Sequence, residues 1–126
     1  VAEELGLPFV YVRSSPKDHG LENLIEGDLK PGQKVVVIED LISTGGSSLK
    51  AVEAIRKDGC EVIGMLAIFS YGFPVAADKF KEANVELTTL SNYESVLEYL
   101  LKCELIGEEE MKTLQEWRKD PANWNA

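Results

Sequence analysis

A chain of 126 residues with 44% hydrophobic content is long enough for one domain with its own core and too short for two, so residues 1–126 are expected to form a single domain. Its 22 acidic against 13 basic residues give a net charge of −9, which opposes a phosphate backbone or an anionic membrane surface, and neither nucleic acid nor membrane is an expected partner. The longest apolar runs fall far short of the roughly 20 residues of a spanning helix, and Cys60 and Cys103 are too few for a disulfide framework, so a soluble protein in a reducing, cytoplasmic setting is expected.

Residues 1–5 read as the last turns of a helix that stops at Gly6, with Pro8 beyond the stop. Phe9-Val10-Tyr11-Val12-Arg13 is β-branched and aromatic, which predicts a strand. Residues 14–33 hold Pro16, Gly20, Gly27, Pro31 and Gly32 with little periodicity and read as one long loop, a length that in compact domains commonly signals function. Residues 34–39 form the next strand, and Val35-Val36-Val37-Ile38 lacks polar alternation, which predicts a central strand covered on both faces. Leu49, Val52 and Ile55 then recur at helical spacing through residues 46–57, and Asp58-Gly59 supplies the stop. Residues 61–69 read as a second buried strand, so residues 34–69 form a β-α-β unit with parallel strands and a right-handed crossover.

A helix over 75–83, a strand over 85–90 and a helix over 93–101 follow, the last with Val96, Leu97, Leu100 and Leu101 inward. Residues 104–126 read as a C-terminal helix and tail, with three acids at 108–110 favoured by the helix dipole and Met111, Leu114 and Trp117 on one face. The order predicts an α/β fold with a parallel sheet core flanked by helices.

In such a sheet, ligands bind beyond the carboxyl ends of the strands. The segment Glu39-Asp40-Leu41-Ile42-Ser43-Thr44-Gly45-Gly46-Ser47-Ser48 lies there and joins two adjacent acids to a hydroxyl-rich and glycine-rich turn. Gly45 and Gly46 permit positive φ and close backbone approach, and the first helical amides with the hydroxyls of Ser43, Thr44, Ser47 and Ser48 can donate to an anion, so a phosphate monoester is the natural guest. The plainer alternative is a helix N-cap with turn glycines, which needs at most one carboxylate. Two acids suit the vicinal hydroxyls of a ribose, or a metal ion gripped through water. Gly27-Asp28-Leu29-Lys30-Pro31-Gly32-Gln33-Lys34 lacks the key residues of a P-loop, and G-x-G-x-x-G is absent, which disfavours a P-loop NTPase and a dinucleotide-binding domain.

Residues 35–47 closely resemble the phosphoribosyl-diphosphate signature of type I phosphoribosyltransferases: four apolar residues, two acids, two apolar residues and a small glycine-containing loop. Tyr11-Val12-Arg13-Ser14-Ser15-Pro16-Lys17-Asp18-His19-Gly20 resembles the mobile catalytic loop of the orotate phosphoribosyltransferases within that family, with its Lys-Asp-His-Gly core intact. The resemblance runs to about Cys103 and implies the type I phosphoribosyltransferase fold. It also implies transfer of phosphoribose from 5-phosphoribosyl 1-diphosphate to orotate, a step of pyrimidine synthesis, with Mg²⁺ on the diphosphate. Ser43, Thr44, Gly45, Gly46 and Ser47 would hold the 5′-phosphate, with Leu41 and Ile42 leading into them, and Ser43 would also touch orotate. Glu39 and Asp40 would hold the ribose hydroxyls, and Arg13, Lys17 and His19 the diphosphate. Lys17, His19 and Asp40 are the implied catalytic residues. The family's loop reaches into a neighbouring subunit, so residues 13–20 would act in trans within a homodimer. Ser14 departs from members that carry a second lysine there, which removes one diphosphate contact.

Four of the 13 basic residues, Arg13, Lys17, Lys30 and Lys34, lie between 13 and 34, a local cluster in an acidic chain that suits an anionic substrate. Phe69-Ser70-Tyr71-Gly72-Phe73-Pro74 either borders the base or simply packs. Cys60 and Cys103 read as structural, and Trp117 and Trp124 as caps on the core or on an interface. The opening residues start inside an element without methionine, and against the family the chain is expected to be N-terminally truncated. Two other readings share part of the pattern: a purine phosphoribosyltransferase, and a regulatory or inactive partial domain that binds phosphoribosyl diphosphate without turnover.

Overall fold

The computed structural model describes residues 1–13 and 24–124. A short helix α1 (Ala2–Leu5) ends at Gly6, whose φ of 63° is the left-handed stop predicted from sequence. Strand β1 (Tyr11–Val12) pairs antiparallel with β2 (Ile25–Glu26), Tyr11 opposite Glu26 and Val12 opposite Ile25. The predicted strand over 9–13 is therefore shorter, and it belongs to a separate ribbon rather than to the parallel sheet. The predicted loop over 14–33 is likewise interrupted by β2, whose Ile25 is buried in the core.

The main sheet has the order β3 (Lys34–Ile42), β4 (Glu61–Ser70), β5 (Leu87–Asn92), with both pairings parallel. Between β3 and β4 runs α2 (Gly46–Lys57), as the apolar spacing predicts. Helix α3 (Pro74–Glu82) precedes β5, and α4 (Tyr93–Lys102) follows it, with the Asn92 side chain accepting from the Ser95 N–H at 2.9 Å. Helix α5 (Glu108–Lys119) opens with the Gly107 N–H bonded to the Glu110 carboxylate at 2.7 Å, and Pro121–Asn123 forms a final 3₁₀ turn.

Among the described residues, β3 lies at the edge of the sheet rather than its centre and is covered on one face only. Val37 is 8% exposed but Ile38 50%; on β4, Met65 is 1% and Ile68 60%. Continuous apolar runs predicted burial on both sides, and that expectation fails for both strands. The covered face is the core: Val37, Met65 and Ala67 meet Val52 and Ile55 of α2 and Ala76 and Phe80 of α3. Val62 also reaches that face although three positions separate it from Met65. The register shifts between Val35 and Val36, which face Val62 and Gly64, so Ile63 is an extra residue that turns outward as a β-bulge.

Arg56 on α2 donates to the carbonyls of Ala83 and Asn84 at 2.7 and 3.2 Å, tying α2 to the end of α3. Beyond the sheet's carboxyl edge, Tyr71 lies 5.4 to 5.8 Å, centroid to centroid, from Phe69, Phe73, Tyr93 and Trp117. That cluster anchors α5, and the Tyr93 hydroxyl donates to the Leu114 carbonyl at 3.1 Å. The aromatic turn and Trp117 are thus packing elements, and Leu97 is the buried residue of α4, while Val96 is 37% exposed. No helix of the described residues is long and apolar enough to cross a membrane.

Candidate phosphate and ribose site

Strand β3 does not end at Glu39 but runs on to Ile42, so Asp40, Leu41 and Ile42 are strand residues rather than loop. Glu39 is half-buried on the side of Val37, and Asp40 is exposed on the next position, as alternation along a strand requires. Asp40 also accepts the Leu41 N–H on its own carboxylate at 2.7 Å. Alternation breaks at Leu41, which is 43% exposed, and Ile42 turns fully into the core. The carboxylates therefore leave a rigid strand end close together in sequence and directed differently.

From Ile42 the chain bends through Ser43, Thr44 and Gly45 into α2. Gly45 is the N-cap, in the left-handed region with φ 78° and ψ −1°, and no side chain caps the helix. The plainer reading, a helix N-cap with turn glycines, is met in part, since Gly45 is itself the N-cap; among the described residues no side chain accepts from the first-turn amides, and the side chains of Ser43, Thr44 and Ser47 are exposed. An uncapped helix start with three hydroxyls beside it can take up an anion of several oxygens.

Three buried residues hold this loop from behind. Ile42 accepts the Tyr71 N–H on its carbonyl at 3.1 Å, Gly45 is buried and accepts the Leu49 N–H at 3.0 Å, and Ser48 is 2% exposed. A Cβ on Gly45 would stand 2.8 Å from Cε2 of Phe80, so this glycine is required by φ and by space together. Sequence reasoning missed Phe80, because its packing against a loop two elements earlier leaves no local pattern.

Arg13 follows β1 and forms an ion pair with Glu26 of β2 at 2.6 Å, with both side chains partly exposed. Glu26 was not foreseen either; cross-strand pairing of two-residue strands has no periodic signature. Lys17 and His19, with Ser14, lie outside the described residues. Among the described residues no group of three or more His, Cys, Asp or Glu could hold a metal ion. Glu39 and Asp40 fit instead an ion brought on a ligand's own oxygens, since hard divalent cations accept one or two carboxylates besides phosphate and water. A shallow hollow of about 210 Å³ opens on the sheet's uncovered face, lined by residues including Val36, Ile63 and Leu66, away from the loop.

Residues 1–100 match the model of the phosphoribosyl transferase domain. The chain is 75% identical over 126 residues to an orotate phosphoribosyltransferase of Phocaeicola vulgatus and 71% identical to that of Bacteroides thetaiotaomicron, covering all of this chain and 59% of each relative. The chain thus spans 59% of the length of these curated relatives. Among solved structures, the orotate phosphoribosyltransferase of Aeropyrum pernix superposes with a TM-score of 0.70 at 33% identity, covering 79% of this chain and 55% of that one. With an uncapped, hydroxyl-lined loop at the end of its acidic strand, and with most of its length matched, this chain belongs to the phosphoribosyl transferase domain family.

Proposed function

We propose that this chain contributes the phosphoribosyl-binding part of an orotate phosphoribosyltransferase, which transfers phosphoribose from 5-phosphoribosyl 1-diphosphate to orotate and yields orotidine 5′-phosphate and diphosphate. The carrying observation is the uncapped start of α2 beside exposed Ser43, Thr44 and Ser47, in a chain 75% identical to a protein of that name. In this reading the amides and hydroxyls of residues 43–47 hold the 5′-phosphate, Glu39 and Asp40 accept from the ribose hydroxyls, and Ser43 also meets orotate. Arg13, Lys17 and His19 bind the diphosphate, with residues 13–20 serving the neighbouring subunit of a homodimer. Mg²⁺, when bound, neutralises charge on the diphosphate.

The chemistry asks for little covalent assistance. Breaking the bond from C1 to diphosphate generates an oxocarbenium-like ribose, so rate comes from holding both substrates in line, excluding water and stabilising the departing charge. Two carboxylates on a rigid strand end and a phosphate loop pinned to the core supply the positioning. The free thiols of Cys60 and Cys103 suit a reducing, cytoplasmic compartment.

The test is production of orotidine 5′-phosphate from orotate, Mg²⁺ and phosphoribosyl diphosphate by the purified protein, alone and with purine bases as competitors. Turnover of orotate that Lys17→Ala abolishes while ligand binding persists supports the assignment. Preferred use of a purine base overturns it in favour of a purine transferase, and a wild type that binds neither phosphoribosyl diphosphate nor ribose 5-phosphate overturns it altogether; binding without turnover favours a binding module or a partial domain over a complete catalyst.

A further inference from the structure

We propose that Phe80 of α3 is a positioning residue for the phosphate loop: its ring is the seat on which Gly45 rests, and it thereby fixes where the neighbouring amides point. The inference rests on the reading that residues 43–47 bind a phosphate monoester. Burial along the loop repeats at every third residue, Ile42, Gly45 and Ser48, while Ser43, Thr44 and Ser47 between them are exposed. Each of the outer two anchors belongs to a regular element, the end of β3 and the first turn of α2. Gly45 belongs to neither, and what lies behind it is α3: a Cβ there would meet Cε2 and Cδ2 of Phe80 at 2.8 and 3.4 Å and Cα of Ala76 at 3.9 Å.

Phe80 and Ala76 are each 3% exposed, so the seat is part of the close-packed core and cannot yield without moving it. Gly45 already holds a left-handed conformation that is its own only because it lacks a side chain, and its carbonyl starts the hydrogen-bond ladder of α2 by accepting the Leu49 N–H. A shift of Gly45 toward a vacated ring position would therefore tilt the amides of Gly46 and Ser47, the groups that face the ligand. Because α3 lies beyond β4 in the chain, the loop and its seat are assembled only when the β3-α2-β4-α3 unit is complete. Phe80 acts through Gly45 and does not itself touch the ligand.

The experiment titrates ribose 5-phosphate into the purified protein and follows the backbone amide resonances of Gly45, Gly46 and Ser47, with thermal unfolding recorded in parallel. Phe80→Leu keeps an apolar side chain but withdraws the ring edge, and its affinity is expected to fall about tenfold, since small misplacements of binding groups have large effects. Val62→Ala, a core truncation at the opposite end of β4, is expected to lower the unfolding midpoint without changing affinity. Should Phe80→Leu not fold, Phe80→Met, which retains volume, carries the same measurement. If the wild type binds through residues 43–47 and the Phe80 variant binds equally well, the proposal is overturned and the phosphate reading stands. If affinity falls equally in Val62→Ala, Phe80 is structural only and the proposal is likewise overturned. If ribose 5-phosphate leaves those wild-type resonances unmoved, the phosphate reading itself fails and takes the proposal with it.

Discussion

The two faces of the parallel sheet are built from the same kinds of residue and live in different surroundings. On β4, Met65 and Ala67 are 1% and 4% exposed, whereas the intervening Leu66 and Ile68 are 44% and 60% exposed. On β3 the pair Val37 and Ile38 repeats the contrast, and on β5 Leu90 is 83% exposed beside Ile68. One face is closed by α2 and α3 and carries the anchors of the loop over 43–47, and the other carries apolar side chains with no layer over them among the described residues. Hydrophobicity says that a strand can be covered on both sides. Only the elements that reach it decide whether it is, and here the candidate loop is built on the closed side.

The sharpest break in that contrast comes from truncating neighbours that point opposite ways. Met65→Ala should cost about 2–5 kcal/mol of folding stability, the range for a fully buried long side chain. Leu66→Ala, one residue along, should cost far less, and urea unfolding of the two variants measures the difference directly. Next in size is Gly45→Ala. A side chain at φ 78° is strained, and its Cβ would overlap the Phe80 ring at 2.8 Å. A loss of about 1–3 kcal/mol is expected, together with weaker binding of ribose 5-phosphate.

The same contrast explains what was legible in the sequence. Helix α2 was readable from Leu49, Val52, Ile55 and the glycine stop because its amphipathic period records one buried face. The adjacent acids and the glycine-rich turn stood out as a candidate site because their residue types are unusual between a strand and a helix, although the strand itself runs on past both acids to Ile42. Covering of β3 was misread, since Val35 to Ile38 carries the same apolar signal whether or not a second layer is present. The bulge at Ile63, the pairing of Ile25–Glu26 with Tyr11–Val12, and the seat under Gly45 were invisible for a shared reason: each is a relation between distant segments that leaves no periodic trace in either.

A smaller effect is expected at the aromatic edge, where α5 meets the sheet. The Tyr93 hydroxyl has its pKa raised above 10.0, chiefly by burial and secondly by the neighbouring Tyr71, with Arg118 opposing. A tyrosine whose folded pKa exceeds the unfolded value binds its proton more tightly when folded, so the contribution is intact below about pH 10 and is lost as pH rises through the folded pKa. Stability should therefore decline above pH 10 more steeply in the wild type than in Tyr93→Phe, as followed by circular dichroism during urea unfolding. Equal alkaline slopes would show that the hydroxyl is solvated rather than held against Leu114.

The least effect is expected on the open face, and it is the most informative about the contrast. Ile68 is 60% exposed, and Ile68→Thr keeps the β-branched shape favoured in a strand while removing apolar surface that already meets water. Its stability should stay within about 0.5 kcal/mol of the wild type, as for other exposed substitutions. A loss above about 1.5 kcal/mol would mean that this side chain is buried in solution, because only burial gives an ethyl-to-hydroxyl exchange such a cost. Repeating the unfolding across a wide range of protein concentration separates the causes: cover supplied by association makes the midpoint rise with concentration, whereas cover supplied within one chain does not. A concentration-independent loss of that size would place the missing layer inside the molecule and remove the difference between the faces from which the contrast starts.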